Sequence, residues 1–352
     1  MNGAAFRDDA CVDPAIVRHA VEVLLRGGLV AFPTETVYGL GADADQPHAV
    51  AAIFHAKGRP KAHPLIIHVS NAEAVDRWAR HIPQPARVLM RRFWPGPLTL
   101  VLPRSARAND LLTGGQDTVA VRCPANAWAQ SLLAGLCEAR GEPSAAIAAP
   151  SANRYGRISP TRAAHVRTDL GEKPTGVVDF IIDGGECALG IESTIVDFAA
   201  GATRILRPGS IGRPEITAAI GEPVQIAPDA GPTPRVSGRV SGHYAPSKPM
   251  ELVAPDAIAA RVRALRPLAL AVLAPPERLA DLGAPNLVLC IAAASTPQEY
   301  AHALYDQLRR LDASAARRLL VALPPGEEAW EAVLDRLRRA AAGSEGQIID
   351  AD

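Results

Sequence analysis

The chain has 352 residues, 48% of them hydrophobic, and its 37 basic side chains are matched by 37 acidic ones. That length and apolar share suit two ordinary domains, each able to bury its own core. Balanced charge excludes a global field that would recruit nucleic acid or an anionic membrane, so any basic site must be local.

Asp13-Pro14 predicts a helix start, with apolar Ile16, Val17, Ala20, Val23 and Leu24 at helical spacing and Gly27-Gly28 closing it. GGLVAF then reads as a buried strand and runs into AFPTETVYGLG (Ala31–Gly41), a polar loop whose glycines fit turn chemistry. Further helices are expected at Pro47–Lys57, Asn71–His81, Gln84–Phe93, Ala125–Arg140 and Pro160–Leu170, with a short one from Arg213. Strands are expected at Pro64–Val69, Leu98–Leu102, Thr118–Arg122, Ala145–Ala149, Val177–Ile182, Ser193–Phe198 and Thr203–Leu206. The elements mix without the strict alternation of a Rossmann unit, which predicts an α/β domain on a twisted, mixed sheet over residues 1–220.

From 221 to 247 the composition turns to Pro, Gly and Ser with almost no periodicity, which reads as a linker unless something holds it down. Beyond it, over 248–352, MELVA, LALAVLA, NLVLCIAA and RRLLVAL are short apolar strands separated by helices such as Pro297–Asp312 and Glu327–Ala341. This alternation predicts a smaller, Rossmann-like parallel α/β domain. No GxGxxG follows its first strand, so a dinucleotide site there has little support.

No run of about 18 apolar residues occurs, and MNGAAFRDDACVD lacks a basic region followed by an apolar segment. The expectation is a soluble, cytoplasmic protein without a membrane partner. Cys11, Cys123, Cys137, Cys187 and Cys290 are odd in number, scattered and free of CxxC pairs. Reduced thiols, mostly buried, are expected in place of a disulfide framework or zinc knuckle.

Four clusters carry candidate chemistry. KGRPKAHPLIIH gathers Lys57, Arg59, Lys61 and His63 where a helix ends, with His68 at the end of the next strand. Only Lys57, Lys61, Lys173 and Lys248 are lysines in this arginine-rich chain, so two in one cluster are informative. A solvated helix C-terminus is one reading; a polyphosphate clamp of forked arginine and point-charge lysine is the other. In TVAVRCP, Thr118, Ala120 and Arg122 share one face of a strand, and Arg122 either snorkels to solvent or pairs with a substrate carboxylate. In AAPSANRYGRISPT, Ser159 reads as an N-cap ahead of Pro160, whereas Ser151 and Asn153 need no cap and suggest an anion site. Ser151 is not in GxSxG and has no evident base, which argues against a serine hydrolase. In GIESTIVDF and RILRPGSIG, Ser193 enters a strand and Arg207 leaves its partner as a candidate phosphate contact.

The blocks PTETVYGLG, KGRP with HPLIIH, FWPGPLTLVL, TVAVRCP, APSAN, ESTIVDF and RPGSI, in this order and spacing over Asp13–Ile220, resemble the YrdC-like family of threonylcarbamoyl-AMP synthases. SGHYAP and the second α/β region are similar to its longer, two-domain form. The resemblance implies a YrdC-like twisted domain with a basic concave cleft. It also implies a nucleotidyltransferase that joins L-threonine, bicarbonate or CO2, and ATP into threonylcarbamoyl-adenylate and pyrophosphate. A transferase complex then passes the threonylcarbamoyl group to an adenosine beside the tRNA anticodon, and a weak direct tRNA contact is a further expectation.

Carried over on matching positions, the resemblance implies Thr36, His68, Arg122, Ala149 and Ser193 around threonine, with Arg122 on its carboxylate. It implies Lys57, Arg59, His63, Thr118, Ser151, Asn153, Ser159 and Arg207 around ATP, with Tyr244 of the linker folding over the nucleotide. Lys57 and Arg59 would stabilise phosphate charge without any covalent nucleophile. Mg2+ would arrive on ATP, with no protein metal site assigned. Glu35 sits within the opening motif and is left with three alternatives: orienting Mg2+, a basic side chain or the loop itself. Two other classes are an RNA-binding module, disfavoured by zero net charge and basic segments without interleaved aromatics, and a carbamoyl-adenylate site as in hydrogenase maturation enzymes, whose acylphosphatase and zinc-finger segments have no counterpart here.

Overall fold

The computed structural model describes residues 12–199, 201–228, 231, 233–239, 242–280, 282–283 and 285–345. Cys11 and the linker residues Val240 and Ser241 lie outside the described residues. The chain divides into two compact units: one runs to Tyr155 and resumes from Pro160 to Arg239, and the other takes Gly156–Ser159 together with the C-terminal part.

The first unit begins with α1 (Pro14–Leu25), β1 (Val30–Phe32), β2 (Gly39–Asp43), α2 (Pro47–Lys57), β3 (Ile66–His68), α3 (Val75–Trp78) and α4 (Gln84–Phe93). It continues with β4 (Leu98–Pro103), α5 (Asp110–Thr113), β5 (Thr118–Arg122), α6 (Ala127–Arg140), β6 (Ile147–Ala148) and α7 (Ala163–Asp169). It closes with β7 (Phe180–Ile181), β8 (Thr194–Asp197), β9 (Arg204–Arg207), α8 (Arg213–Ile220) and β10 (Gln225–Ile226). The strands form one mixed sheet in the order β10-β9-β8-β4-β5-β3-β6-β2-β1-β7, as expected for a mixed α/β domain.

Local chemistry sets the helix ends. Asp13 Oδ1 accepts the Ala15 N–H at 2.7 Å, with Pro14 next in line, and Asn126 caps α6 through the N–H groups of Trp128 and Ala129. Gly58 ends α2 at φ 64°, a left-handed turn that aims Arg59 back toward the sheet.

Several expectations need correction. Ser159 is not a helix cap: α7 starts at Ala163 with Arg162 before it and no side-chain cap. The helix expected over Asn71–His81 is a single turn, Val75–Trp78. Gly39–Asp43, read as the end of a loop, is a strand paired with β1 and β6, because burial on both sides outweighs the glycines' weak strand preference. Of the four described cysteines, only Cys123 and Cys187 are buried; Cys137 is intermediate and Cys290 exposed.

Alternation in the central strands separates two environments. Ile67, Leu98, Leu100, Leu102, Val119, Val121 and Val196 join the large core, while Ile66, Val101, Ala120, Ile195 and Leu206 face the other side. On that second side, Ala227 and Val236 pack against the strands, so the described parts of the Pro/Gly-rich segment around them are held on the sheet. A further core joins α1 and α6 to β1 and β6 through Val21, Leu24, Phe32, Leu132 and Ile147.

The second unit contains β11 (Met250–Val253), α9 (Ile258–Ala264), β12 (Leu270–Ala274), α10 (Pro276–Leu279), β13 (Leu287–Ala292), α11 (Pro297–Ala313), β14 (Arg318–Ala322) and α12 (Glu331–Glu345). Its strands form a sheet in the order β11-β14-β12-β13, every pairing parallel, as the β/α alternation predicts. Val253, Ile258, Val262, Leu270, Val272 and Leu320 form its core. No helix among the described residues is long and apolar enough to cross a membrane.

Candidate active site

The face of the first sheet that carries Ile66, Val101, Ala120 and Ile195 also carries polar groups one strand period away. His68 and Arg122 are register partners at the ends of parallel β3 and β5, and Thr99 of antiparallel β4 lies opposite Arg122. Ser193, just ahead of β8, comes level with this group, and its hydroxyl meets that of Thr99 at 2.7 Å. Strand ends are thus gathered from four different stretches of sequence.

The Pro33–Val37 loop lies on the same group. Thr34 Oγ1 donates to the Val37 carbonyl at 2.7 Å and accepts the Thr36 N–H at 3.2 Å, so Thr34 shapes the loop. Tyr38 is also structural, its hydroxyl donating to the Gly185 carbonyl at 2.7 Å. Thr36 Oγ1 accepts from Arg122 Nη1 at 2.9 Å. Arg122 Nη2 lies 2.7 Å from Glu35 Oε1, a charge contact that is not aligned as a hydrogen bond, since both atoms lack a hydrogen-bond partner among the described residues. Arg122 is buried, so it does not snorkel to solvent. Beside it, burial and then the guanidinium push the His68 imidazole down to about 3, leaving it neutral at physiological pH. Ala149 closes the neighbouring edge, its N–H donating to the Ile66 carbonyl at 3.0 Å.

Lys57 and Arg59 are both buried, unlike the exposed Lys61, which removes the solvated-terminus reading for the first two. Lys57 Nζ donates to the carbonyls of Ser151, at 2.6 Å, and Asn153, fastening α2 to the APSAN segment. Burial and then Arg59 push its pKa down, while the two carbonyl oxygens oppose that shift by binding the protonated amine. Arg59 Nη2 donates to Pro64 O at 2.8 Å and Ser237 Oγ at 3.0 Å. Its guanidinium carbon is 5.8 Å from the centre of the Tyr155 ring, and that ring meets His63 edge-on at 5.4 Å. Burial and Arg59 lower the His63 pKa as well. Thr118 stands two residues before the Ile66–Ala120 register pair, level with Pro64 and about 13 Å along the strand from Arg122.

Arg207 joins the two clusters. Its Nε and Nη2 donate to Ser193 O at 3.2 and 2.9 Å, Nη2 also reaches Ser193 Oγ at 3.2 Å, and Nη1 donates to Ser237 O at 2.9 Å. A Cβ on Gly209 would come within 2.3 Å of Thr194 N and 2.6 Å of Ser193 C, so only glycine lets the RPGS turn lie this close. A polar line therefore runs from Arg59 through Ser237, Arg207 and Ser193 to Thr99, opposite Arg122, with Thr36 and Glu35 beyond.

Ser159 and Tyr244 belong to the second unit. Ser159 is buried, and its carbonyl accepts from Arg309 Nε at 3.5 Å while Arg309 Nη2 donates to Ile158 O at 2.5 Å. Tyr244 adopts φ 65° and stacks on Tyr305 at 5.6 Å, with the Arg336 guanidinium 5.2 Å from its ring centre.

Sequence reasoning passed over Thr99, Tyr155, Ser237 and the partner of Glu35. Thr99 left a signal, as the polar residue inside the apolar strand LTLVL; Ser237 sits in an aperiodic segment and left none.

A family model for Sua5, YciO and YrdC proteins, described as "Telomere recombination", matches residues 22–209. A second, described as "Threonylcarbamoyl-AMP synthase, C-terminal domain", matches 211–342. The chain is 36% identical over 339 residues to threonylcarbamoyl-AMP synthase of Bacillus subtilis, spanning 94% of both chains. It is 47% identical over 235 residues to that of Pyrococcus abyssi, spanning 66% of each. The crystal structure of P. abyssi Sua5 complexed with L-threonine is similar with a TM-score of 0.81 at 36% identity, covering 96% of this chain and 97% of that one. A doubly substituted form of P. abyssi Sua5, with a histidine and the tyrosine after it both changed to alanine, gives a TM-score of 0.83 at 35% identity, with 96% of each chain covered. The chain thus belongs to the Sua5/YciO/YrdC family, in the long two-domain form of the threonylcarbamoyl-AMP synthases.

Proposed function

We propose that this enzyme is an L-threonylcarbamoyladenylate synthase, a nucleotidyltransferase that converts L-threonine, bicarbonate or CO2, and ATP into L-threonylcarbamoyladenylate and pyrophosphate. One observation carries the reading: the buried Arg122, bonded to Thr36, lies opposite Thr99 in the sheet, whose hydroxyl meets Ser193, and Ser193 accepts from Arg207, which is joined through Ser237 to Arg59. An amino acid and a polyphosphate need those two kinds of donor side by side.

The chemistry asks for no protein nucleophile. The threonine amine, once deprotonated, adds to CO2 to form a carbamate. A carbamate oxygen then attacks the α-phosphorus of ATP, and pyrophosphate leaves with the P–O bonding electrons. The protein's share is positioning and charge stabilisation. Arg122 holds the carboxylate, Thr36, His68, Ser193 and the Ala149 backbone surround the amino acid, and Arg59 and Arg207 with His63, Thr118, Ser151 and Asn153 face the nucleotide. Lys57 acts by fixing the Ser151–Asn153 backbone as well as by its charge. Ser159 and Tyr244 are proposed as nucleotide contacts on the family resemblance alone.

Mg2+ is proposed to enter on the triphosphate, whose oxygens it would shield. The donor set suits this: Arg, Lys, Ser and Asn bind phosphate oxygens and leave the ion to the triphosphate. The product would supply a threonylcarbamoyl transferase complex that modifies adenosine beside the tRNA anticodon, in the cytoplasm, with at most weak direct tRNA contact.

The test is pyrophosphate release from the full chain. The reading expects dependence on ATP, bicarbonate and L-threonine together. Release driven equally by carbamoyl phosphate, or tight RNA binding without turnover, would overturn it.

A further inference from the structure

Glu35 has no part in the reading above, although its carboxylate is among the most deeply buried charges of the molecule. It is 2% exposed and faces a guanidinium that is 4% exposed, at 2.7 Å. Neither carboxylate oxygen has a hydrogen-bond partner among the described residues, and the same holds for Arg122 Nε and Nη2 and for His68 Nδ1. Only Arg122 Nη1 is satisfied, on Thr36 Oγ1. Buried polar atoms normally find partners, so several orphans on one wall point to a ligand that completes them.

The charges on that wall narrow the ligand. His68 contributes none, because burial and Arg122 hold its imidazole neutral. Burial likewise raises the pKa of the Cys123 and Cys187 thiols, on both of which the Glu35 charge acts, and keeps them neutral. The remaining pair, Glu35 and Arg122, is already balanced. A ligand with a carboxylate alone would bring an uncompensated charge into a dry pocket. A zwitterion adds no net charge, offers an ammonium to the Glu35 oxygens and gives a carboxylate to Arg122 Nε and Nη2.

We propose that Glu35 recognises the α-ammonium group of the substrate and positions Arg122, so that the pocket selects free α-amino acids over the matching hydroxy or N-acylated acids. The proposal rests on the assignment of L-threonine as the substrate. It also accounts for a carboxylate inside a site otherwise rich in cations.

Calorimetric titration of the full chain tests it, with L-threonine and with 2,3-dihydroxybutanoate of the same configuration, in which a hydroxyl replaces the ammonium. The unsubstituted protein should favour threonine by about 30-fold or more. Glu35→Gln, nearly isosteric and uncharged, should weaken threonine by about tenfold or more while leaving the hydroxy acid within about threefold. Equal affinity of the unsubstituted protein for both acids would overturn the proposal without recourse to the variant. Equal weakening of both acids by Glu35→Gln would also overturn it, since that is the mark of a residue that only holds Arg122. No binding of L-threonine by the unsubstituted protein would instead remove the substrate assignment, and this proposal with it.

Discussion

Arg207 ties three separate stretches of chain together, and replacing it with methionine keeps the side-chain volume while deleting the fork. The guanidinium is 2% exposed and donates at 2.9–3.2 Å to Ser193 O, Ser193 Oγ and Ser237 O. Ser193 is fully buried, so its carbonyl is stranded at a cost of about 1–3 kcal/mol. Ser237 is only partly buried, and water can replace the bond to its carbonyl for about 1 kcal/mol or less. Removing a buried cation returns part of its desolvation cost, which leaves a net loss of about 2–3 kcal/mol. Denaturant unfolding read by tryptophan fluorescence measures it, since Trp78, Trp94 and Trp128 lie in the first unit. Arg207→Lys serves as the control: it keeps the charge but cannot fork to two carbonyls, and should recover less than half of the loss. In turnover, Arg207→Met should raise the ATP concentration needed for half-maximal pyrophosphate release by at least about tenfold. An unfolding free energy within about 0.5 kcal/mol of the parent's, together with unchanged ATP saturation, would refute the linking role.

Arg59→Ala should impair ATP use by about 2–5 kcal/mol in kcat/KM, the usual cost of truncating a buried charged donor, and saturation curves for ATP and threonine would show whether the loss falls on the nucleotide. Arg122→Ala should weaken threonine binding by at least about 30-fold, seen calorimetrically, whereas ATP analogue binding should change little. His68 predicts an acid sensitivity. Its folded pKa sits at about 3 against an ordinary 6.5, so the unfolded chain binds its proton first. Stability is fully present above about pH 6.5 and falls by about 1.4 kcal/mol per pH unit toward 3 from this group alone. His68→Asn should flatten the pH dependence between 6.5 and 4.5, and parallel curves for variant and parent would rule the effect out. Lys57→Met should loosen the Ser151–Asn153 backbone, visible as faster amide exchange there with the rest of the sheet unchanged.

Much of the first unit was readable because its strands are apolar runs bounded by Pro and Gly, and its longer helices carry a clear apolar stripe. The strand at Gly39–Asp43 was hidden, since two glycines and a buried aspartate defeat propensity and only pairing on both sides makes it a strand. Ser159 misled for the opposite reason: Ser-Pro-Thr looks like a helix start, yet the chain stays irregular until Ala163. Arg122 and Arg207 stood out as charges ending apolar strands. The contact of Arg59 with Ser237 spans 178 residues, and no local pattern encodes a partner that distant. Glu35 was visible as a residue but not as a role, because its meaning depends on the guanidinium opposite.

The sheet order also ranks the parts of the site in time. Glu35, Thr36, His68 and Arg122 all reside on strands or loops made by residue 122, and β6 (Ile147–Ala148) then joins β2 to β3 between them. Ser193, Arg207 and the segment carrying Ser237 arrive with β8, β9 and β10, which extend the sheet outward from β4. Until Thr194 is made, a nascent chain therefore presents LTLVLP of β4 as an unpaired apolar edge, the kind of surface that recruits foreign strands. During synthesis most of the polar wall is therefore laid down early, while Ser193, Arg207 and the protection of that edge are delivered by the same late strands.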